Sequence, residues 1–136
     1  MLLKAYPAIF QPEENGGYYI EFPDVQGAYT GINEDDVAYG IEMAEEVLGL
    51  VLSSEIEEGK DLPTPTPVGD IKVPKGGLVT LVKIDLEKFF KEDAPVKKTL
   101  TIPTWANDLG NRQGINFSRL LTTAIANVAL STRDLE

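Results

Sequence analysis

Three groups of residues have the types and spacing for chemistry. Glu21 and Asp24 stand three apart around Phe22-Pro23, and Glu34, Asp35 and Asp36 form an unbroken acidic run. Carboxylates so placed can meet a basic surface or hold a divalent cation. Lys97, Thr99 and Thr101 alternate along a short stretch; at that period they share one face of an extended chain, where Lys and Thr can reach phosphates and base edges. Asn116, Ser118 and Arg119 form the third group, at a break between two apolar runs, where the free N–H groups of a helix start can hold an anion. The 136 residues include neither His nor Cys. That excludes disulfides, zinc centres of thiolate and imidazole, a cysteine nucleophile, an imidazole base and a histidine pH switch. Carboxylate pairs could still position metal ions for phosphoryl transfer. The acids fall on a helix start and a solvated helix face rather than in a buried strand pair, so no catalytic residue, metal or cofactor is expected.

Charge narrows the partners. The 12 Lys and Arg against 22 Asp and Glu give a net charge of −10, which argues against a surface that binds nucleic acid throughout. The excess is uneven. Residues 1–94 carry 7 basic and 19 acidic side chains, net −12, whereas residues 95–136 carry 5 basic and 3 acidic, net +2. Two regions of opposite sign imply two partners. No stretch reaches the roughly 18–20 apolar residues of a membrane span, and the first residues lack the basic and apolar regions of a signal peptide, so a cytoplasmic protein with no membrane partner is expected.

The elements that must position these groups follow from periodicity. Residues 2–10 read as a strand, with Pro7 placing it at a sheet edge or making it irregular. Asn15-Gly16-Gly17 is a hairpin turn. Tyr18, Ile20 and Phe22 then alternate with Tyr19 and Glu21, the period of a half-buried strand, and residues 28–32 form a third. Asn33 reads as the N-cap of a long helix with Glu34, Asp35 and Asp36 on its first turn. Its apolar face is Val37, Ile41, Ala44, Leu48, Val51 and Leu52, and Gly59 ends it. Residues 61–77 hold four prolines and three glycines, a connection rather than an element. Leu78 to Ile84 is an almost continuous apolar run and reads as a fourth, central strand. Residues 85–91 form a short helical turn.

Asp93-Ala94-Pro95 reads as a linker between a domain at 1–92 and another at 96–136. The second contains a strand over Val96 to Ile102, a helix from about 104 to 113 entered through Pro103, and a helix from Phe117 to about Leu130. Gly110 within the first of these helices costs about 1 kcal/mol relative to Ala, so that helix depends on packing. Some forty residues with one strand and two helices cannot close a core alone.

The segment Lys97 to Pro103, followed by helices split at Gly114-Ile115-Asn116-Phe117-Ser118, resembles the ribbon-helix-helix DNA-binding family. The resemblance implies a homodimer whose two strands pair as an antiparallel ribbon, with assembly beyond the dimer left open. Lys97, Thr99 and Thr101 would then face the major groove of operator DNA, and Asn116, Ser118 and Arg119 would hold a phosphate. Leu100, Ile102, Trp105, Leu109 and Leu121 would form the dimer core. Tyr18-Tyr19-Ile20-Glu21-Phe22-Pro23-Asp24-Val25-Gln26-Gly27-Ala28-Tyr29-Thr30 resembles the HicB antitoxin signature, in which an aromatic strand ends in F-P-D-x-x-G. It departs from that pattern at Ala28-Tyr29-Thr30, where relatives often have C-F-T. This likeness implies an α+β protein with an amino-terminal β-β-β-α-β partial RNase H-like domain. That domain would bind and occlude a small HicA-type ribonuclease toxin, with Glu21, Asp24, Glu34, Asp35 and Asp36 as contacts at one tip of the second and third strands. The alternative is a stand-alone ribbon-helix-helix repressor whose first domain senses a ligand.

Overall fold

A computed structural model describes residues 2–91 and 94–130. The chain divides into a unit that runs to Phe90 and another that starts at Lys91; Asp93 of the expected linker lies outside the described residues.

Alternation of apolar and polar side chains builds the first unit. Strands β1 (Leu3–Pro12), β2 (Tyr18–Glu21), β3 (Tyr29–Ile32) and β4 (Leu78–Asp85) form one sheet in the order β3-β2-β1-β4, with every neighbouring pair antiparallel. Gly16 and Gly17 turn the first hairpin in the left-handed region, at φ of 86° and 80°. Tyr6, Ala8 and Phe10 of β1, Ile20 of β2, Ile32 of β3, and Val82 and Ile84 of β4 are buried together, and helix α1 (Val37–Glu57) buries Ala44, Leu48 and Leu52.

Two strands lie where the sequence does not predict them. The strand with Pro7 is central, and the apolar β4 is at the edge. Pro7 is tolerated because β2 is short and its pairing with β1 begins only at Ile9, so at Pro7 the strand has β4 alone beside it. In β4, Val82 and Ile84 point inward while Leu81 and Lys83 are exposed, the alternation of a sheet with one covered face.

Helix α1 also begins later than Asn33. Asp36 is its N-cap, its carboxylate accepting the Tyr39 N–H at 3.1 Å, and Glu34 and Asp35 precede the helix instead of occupying its first turn. The buried stripe includes Gly40, Gly49 and Ser53, whereas Val37, Ile41 and Val51 are only half-buried. Gly40 lets the helix approach the sheet closely: a Cβ there would lie 2.7 Å from the Phe10 ring and 3.1 Å from both Ile20 and Ile32. Periodicity alone gives a glycine no side of the helix, so this contact surface is shifted from the expected one.

In the Pro-rich connection Leu62 is buried, and the Pro63 carbonyl ties the segment to β1 by accepting the Tyr6 hydroxyl at 2.7 Å. Burial, followed by the nearby Asp24 and Glu55 charges, pushes the Tyr6 phenol up to about 12. At the end of β4, Asp85 accepts the Leu2 N–H at 2.9 Å and the Glu87 N–H at 3.2 Å. These bonds, the first foremost, hold its carboxyl below the usual range.

The second unit contains α2 (Thr104–Arg112) and α3 (Phe117–Ala129). Pro103 precedes α2 without a side-chain cap, while Asn116 caps α3 by accepting the Arg119 N–H at 3.0 Å. Gly110 is the buried residue of α2, and a side chain there would run into the Phe117 ring. The conformational penalty of glycine is thus offset by close packing of α2 on the start of α3. Over 94–103 the chain has no regular secondary structure, in place of the expected strand 96–102. A strand needs a neighbour, and among the described residues this segment has none.

Candidate interaction surfaces

Among the first unit's five expected acidic contacts, three carry bonds within the protein. Asp24 accepts the Thr66 N–H at 2.8 Å with one carboxylate oxygen and the Thr66 hydroxyl at 2.5 Å with the other, fastening the Pro-rich connection to the turn after β2. Asp36 is committed to the α1 cap. Asp35 accepts the Tyr18 hydroxyl at 3.0 Å, a bond that raises the phenol's pKa. Glu21 and Glu34 are exposed and carry no such bond among the described residues.

Nor do the five meet at one tip. Glu21 pairs with Tyr29 at the start of β3, whereas Tyr18 pairs with Ile32 at its end, just before Glu34. The length of β3 puts the two acid groups at opposite ends of the β2–β3 hairpin, about 10 Å apart. Register makes this separation, which spacing along the chain conceals. Among the described residues no three acidic side chains come together as metal ligands would, and no helix is long and apolar enough to cross a membrane.

Because Asp24 bonds twice to Thr66 in a partly buried position, Asp24→Ala is expected to lower stability by about 2 kcal/mol. It should also speed hydrogen exchange at the Thr66 amide. Thermal unfolding and amide exchange check this; unchanged exchange at Thr66 would leave Asp24 without its structural role.

The outer face of the sheet is a surface that the sequence does not mark as a site. Leu3, Tyr19, Tyr29 and Leu81 are exposed there. Alternation puts Tyr19 on this face, but whether anything covers it is a tertiary matter.

In the second unit Lys97, Thr99 and Thr101 are all exposed along the extended segment. The Asn116 side chain is taken by its capping bond, and the Ser118 carbonyl accepts the Thr122 hydroxyl at 2.8 Å. The expected dimer-core residues Leu100, Ile102, Trp105 and Leu109 are exposed within one copy, Trp105 to 67%, while Leu121 is half-buried. Leu120 and Ile125, outside the expected dimer core, are 55% and 56% exposed on α3. The sequence signal for them is the helical spacing of Phe117, Leu120, Leu121, Ala124, Ile125 and Val128, which makes one apolar stripe.

The comparisons with known proteins agree with one another. The model of a family described as "HicB_like antitoxin of bacterial toxin-antitoxin system" matches residues 6–108. Over 64 residues the chain is 36% identical to Antitoxin HicB 1 of Photorhabdus laumondii, covering 47% of this chain and 40% of that relative. The match thus spans well under half of the relative's length. Among solved structures, a chain of a toxin–antitoxin complex from Streptococcus pneumoniae is similar with a TM-score of 0.60 at 29% identity, covering 93% of this chain and 99% of that one. The antitoxin HicB of Burkholderia pseudomallei is similar with a TM-score of 0.59 at 19% identity, covering 92% and 98%, a likeness of fold alone.

Proposed function

The chain belongs to the HicB-like antitoxin family of bacterial toxin–antitoxin systems, and from that premise we propose that it neutralises a small basic HicA-type ribonuclease by covering it and represses its own operon as a DNA-binding dimer. The observation that carries the dimer is the row of bulky apolar side chains left in water by the second unit: Leu100, Ile102, Trp105, Leu109, Leu120 and Ile125. One copy cannot bury them and a second copy can. Pairing of two 96–102 segments as an antiparallel ribbon would also satisfy the backbone groups of a stretch that finds no strand partner alone.

On that ribbon-helix-helix reading, Leu100 and Ile102 turn inward with Trp105, Leu109 and Leu121. Lys97, Thr99 and Thr101 face the major groove of the operator. At the start of α3, the Asn116 cap leaves the N–H groups of Phe117 and Ser118 free for a phosphate, which Arg119 reinforces. The small positive balance of residues 95–136 suits this partner.

Residues 1–94, net −12, take in the first unit, and that excess of acid suits a basic toxin. The unit's β-β-β-α-β order fits a partial RNase H-like domain. Glu21 and Glu34 are free to pair with the toxin, while Asp24, Asp35 and Asp36 shape the surface around them. Occlusion needs no imidazole or thiol, and the protein would act in the cytoplasm, with mRNA and operator at hand. The test is coexpression with the reading frame that neighbours its gene, expected to encode a small basic protein, followed by affinity purification and light scattering. The expected result is a complex built on two antitoxin copies. A chain that stays monomeric and captures nothing would refute the proposal.

A further inference from the structure

Glu21 sits in an unusual setting for a free carboxylate. It lies on the sheet face opposite α1, directly across from Tyr29 of the edge strand β3, with Tyr19 two residues earlier on the same face. Across from Tyr19 the partner is Gly31, which has no side chain, and the Tyr29 ring packs towards Tyr19 with centroids 6.2 Å apart and an interplanar angle of 38°. Tyr29 is 58% exposed and Tyr19 37%, and neither phenol is hydrogen-bonded within the described residues.

We propose that Glu21, with the Tyr19 and Tyr29 rings beside it, is a socket that receives one guanidinium or ammonium side chain of the basic toxin. The proposal rests on the toxin-partner reading above and specifies where that partner is gripped. A carboxylate alone on a surface holds a cation weakly, because water competes. Aromatic rings beside it exclude water and present their negative faces to the same cation. Large exposed aromatics are also the side chains that anchor interfaces, whereas a ring of solvated charge mainly speeds encounter. The other acids are less suited. Asp24, Asp35 and Asp36 would each have to give up an internal hydrogen bond, and Glu34 stands in the bend before α1 rather than between aromatic rings on the sheet. The overall excess of acid in residues 1–94 supplies long-range attraction towards a basic partner, and the socket supplies the grip.

The bland account is that Tyr19 and Tyr29 are a cross-strand pair that stabilises the hairpin and touches no partner. Calorimetric titration of purified toxin into the full chain separates the two. Tyr29→Ala and Glu21→Gln are each expected to weaken binding by about tenfold, and Glu21→Lys by more, with the thermal midpoint of the free protein little changed. Glu42→Lys, an equal change of charge on the exposed side of α1, is expected to leave affinity within about twofold. If Tyr29→Ala and Glu21→Lys bind as the unaltered protein does, the socket is wrong. Equal weakening by Glu42→Lys would also overturn it, since general charge attraction would then suffice. Should the unaltered chain itself fail to bind the toxin, the toxin-partner reading falls and the socket with it. That outcome is distinct from a failure of the variants alone.

Discussion

Trp105→Ala is expected to leave the protein monomeric at micromolar concentration and unable to hold operator DNA. Trp105 is the only tryptophan in the chain, and two-thirds of it is in water in a single copy. In the proposed dimer both copies are buried at a symmetric interface. Truncating a buried Trp removes its transfer free energy and leaves a cavity, about 3–5 kcal/mol at each site. Even one such loss raises a dissociation constant by more than about a hundredfold. The residue supplies its own probe: its emission should shift to the red as the unaltered protein is diluted through dissociation, and sedimentation equilibrium should give the same midpoint. Because Trp105 belongs to the second unit, the unfolding of the first should be unchanged. A variant that remains dimeric and binds DNA would make Trp105 a surface residue and remove the main support for the interface.

The double variant Lys97→Ala with Thr101→Ala is expected to abolish operator recognition while leaving toxin neutralisation intact. Each base-edge contact contributes about 1–3 kcal/mol of discrimination, and a dimer presents both residues twice. Operator affinity should therefore fall by about two orders of magnitude or more. Loss of one positive charge from each copy at the DNA surface should also flatten the dependence on salt concentration. Neutralisation should persist because both substitutions lie in the second unit, while the acidic surface and the Glu21 socket lie in the first. The measurements are operator binding at several salt concentrations and rescue of growth from the toxin by the same variant. A folded variant that fails to rescue growth would show that the two activities are not divided between the units.

Particular elements show how far local chemistry reaches. The start of α3 is legible at Asn116, beside the break that the sequence marks, because its cap involves only the Asn116 side chain and the Arg119 N–H three residues on. At α1 the expected cap Asn33 is followed by two further residues of capping type, Asp35 and Asp36. The choice among them depends on where β3 ends and on how Gly40 docks against Phe10, which no window of sequence contains. Pro7 correctly signals that one N–H is missing from β1. It does not say which side of the strand lacks a neighbour, and the shortness of β2 answers that. The run 78–84 reads as central because it is apolar, yet its inward and outward residues divide at an edge.

The sequence by itself determined the chemistry this protein lacks, imidazole and thiol, and the opposite charge of residues 1–94 and 95–136. It also determined most element types, because composition and periodicity are local quantities. The tertiary structure alone decided which carboxylates are free. Pairing register sends Glu21 and Glu34 to opposite ends of a hairpin, and hydrogen bonds to residues as distant as Thr66 occupy Asp24. It also left 96–102 without a strand partner among the described residues, because backbone pairing is a property of two segments rather than of one.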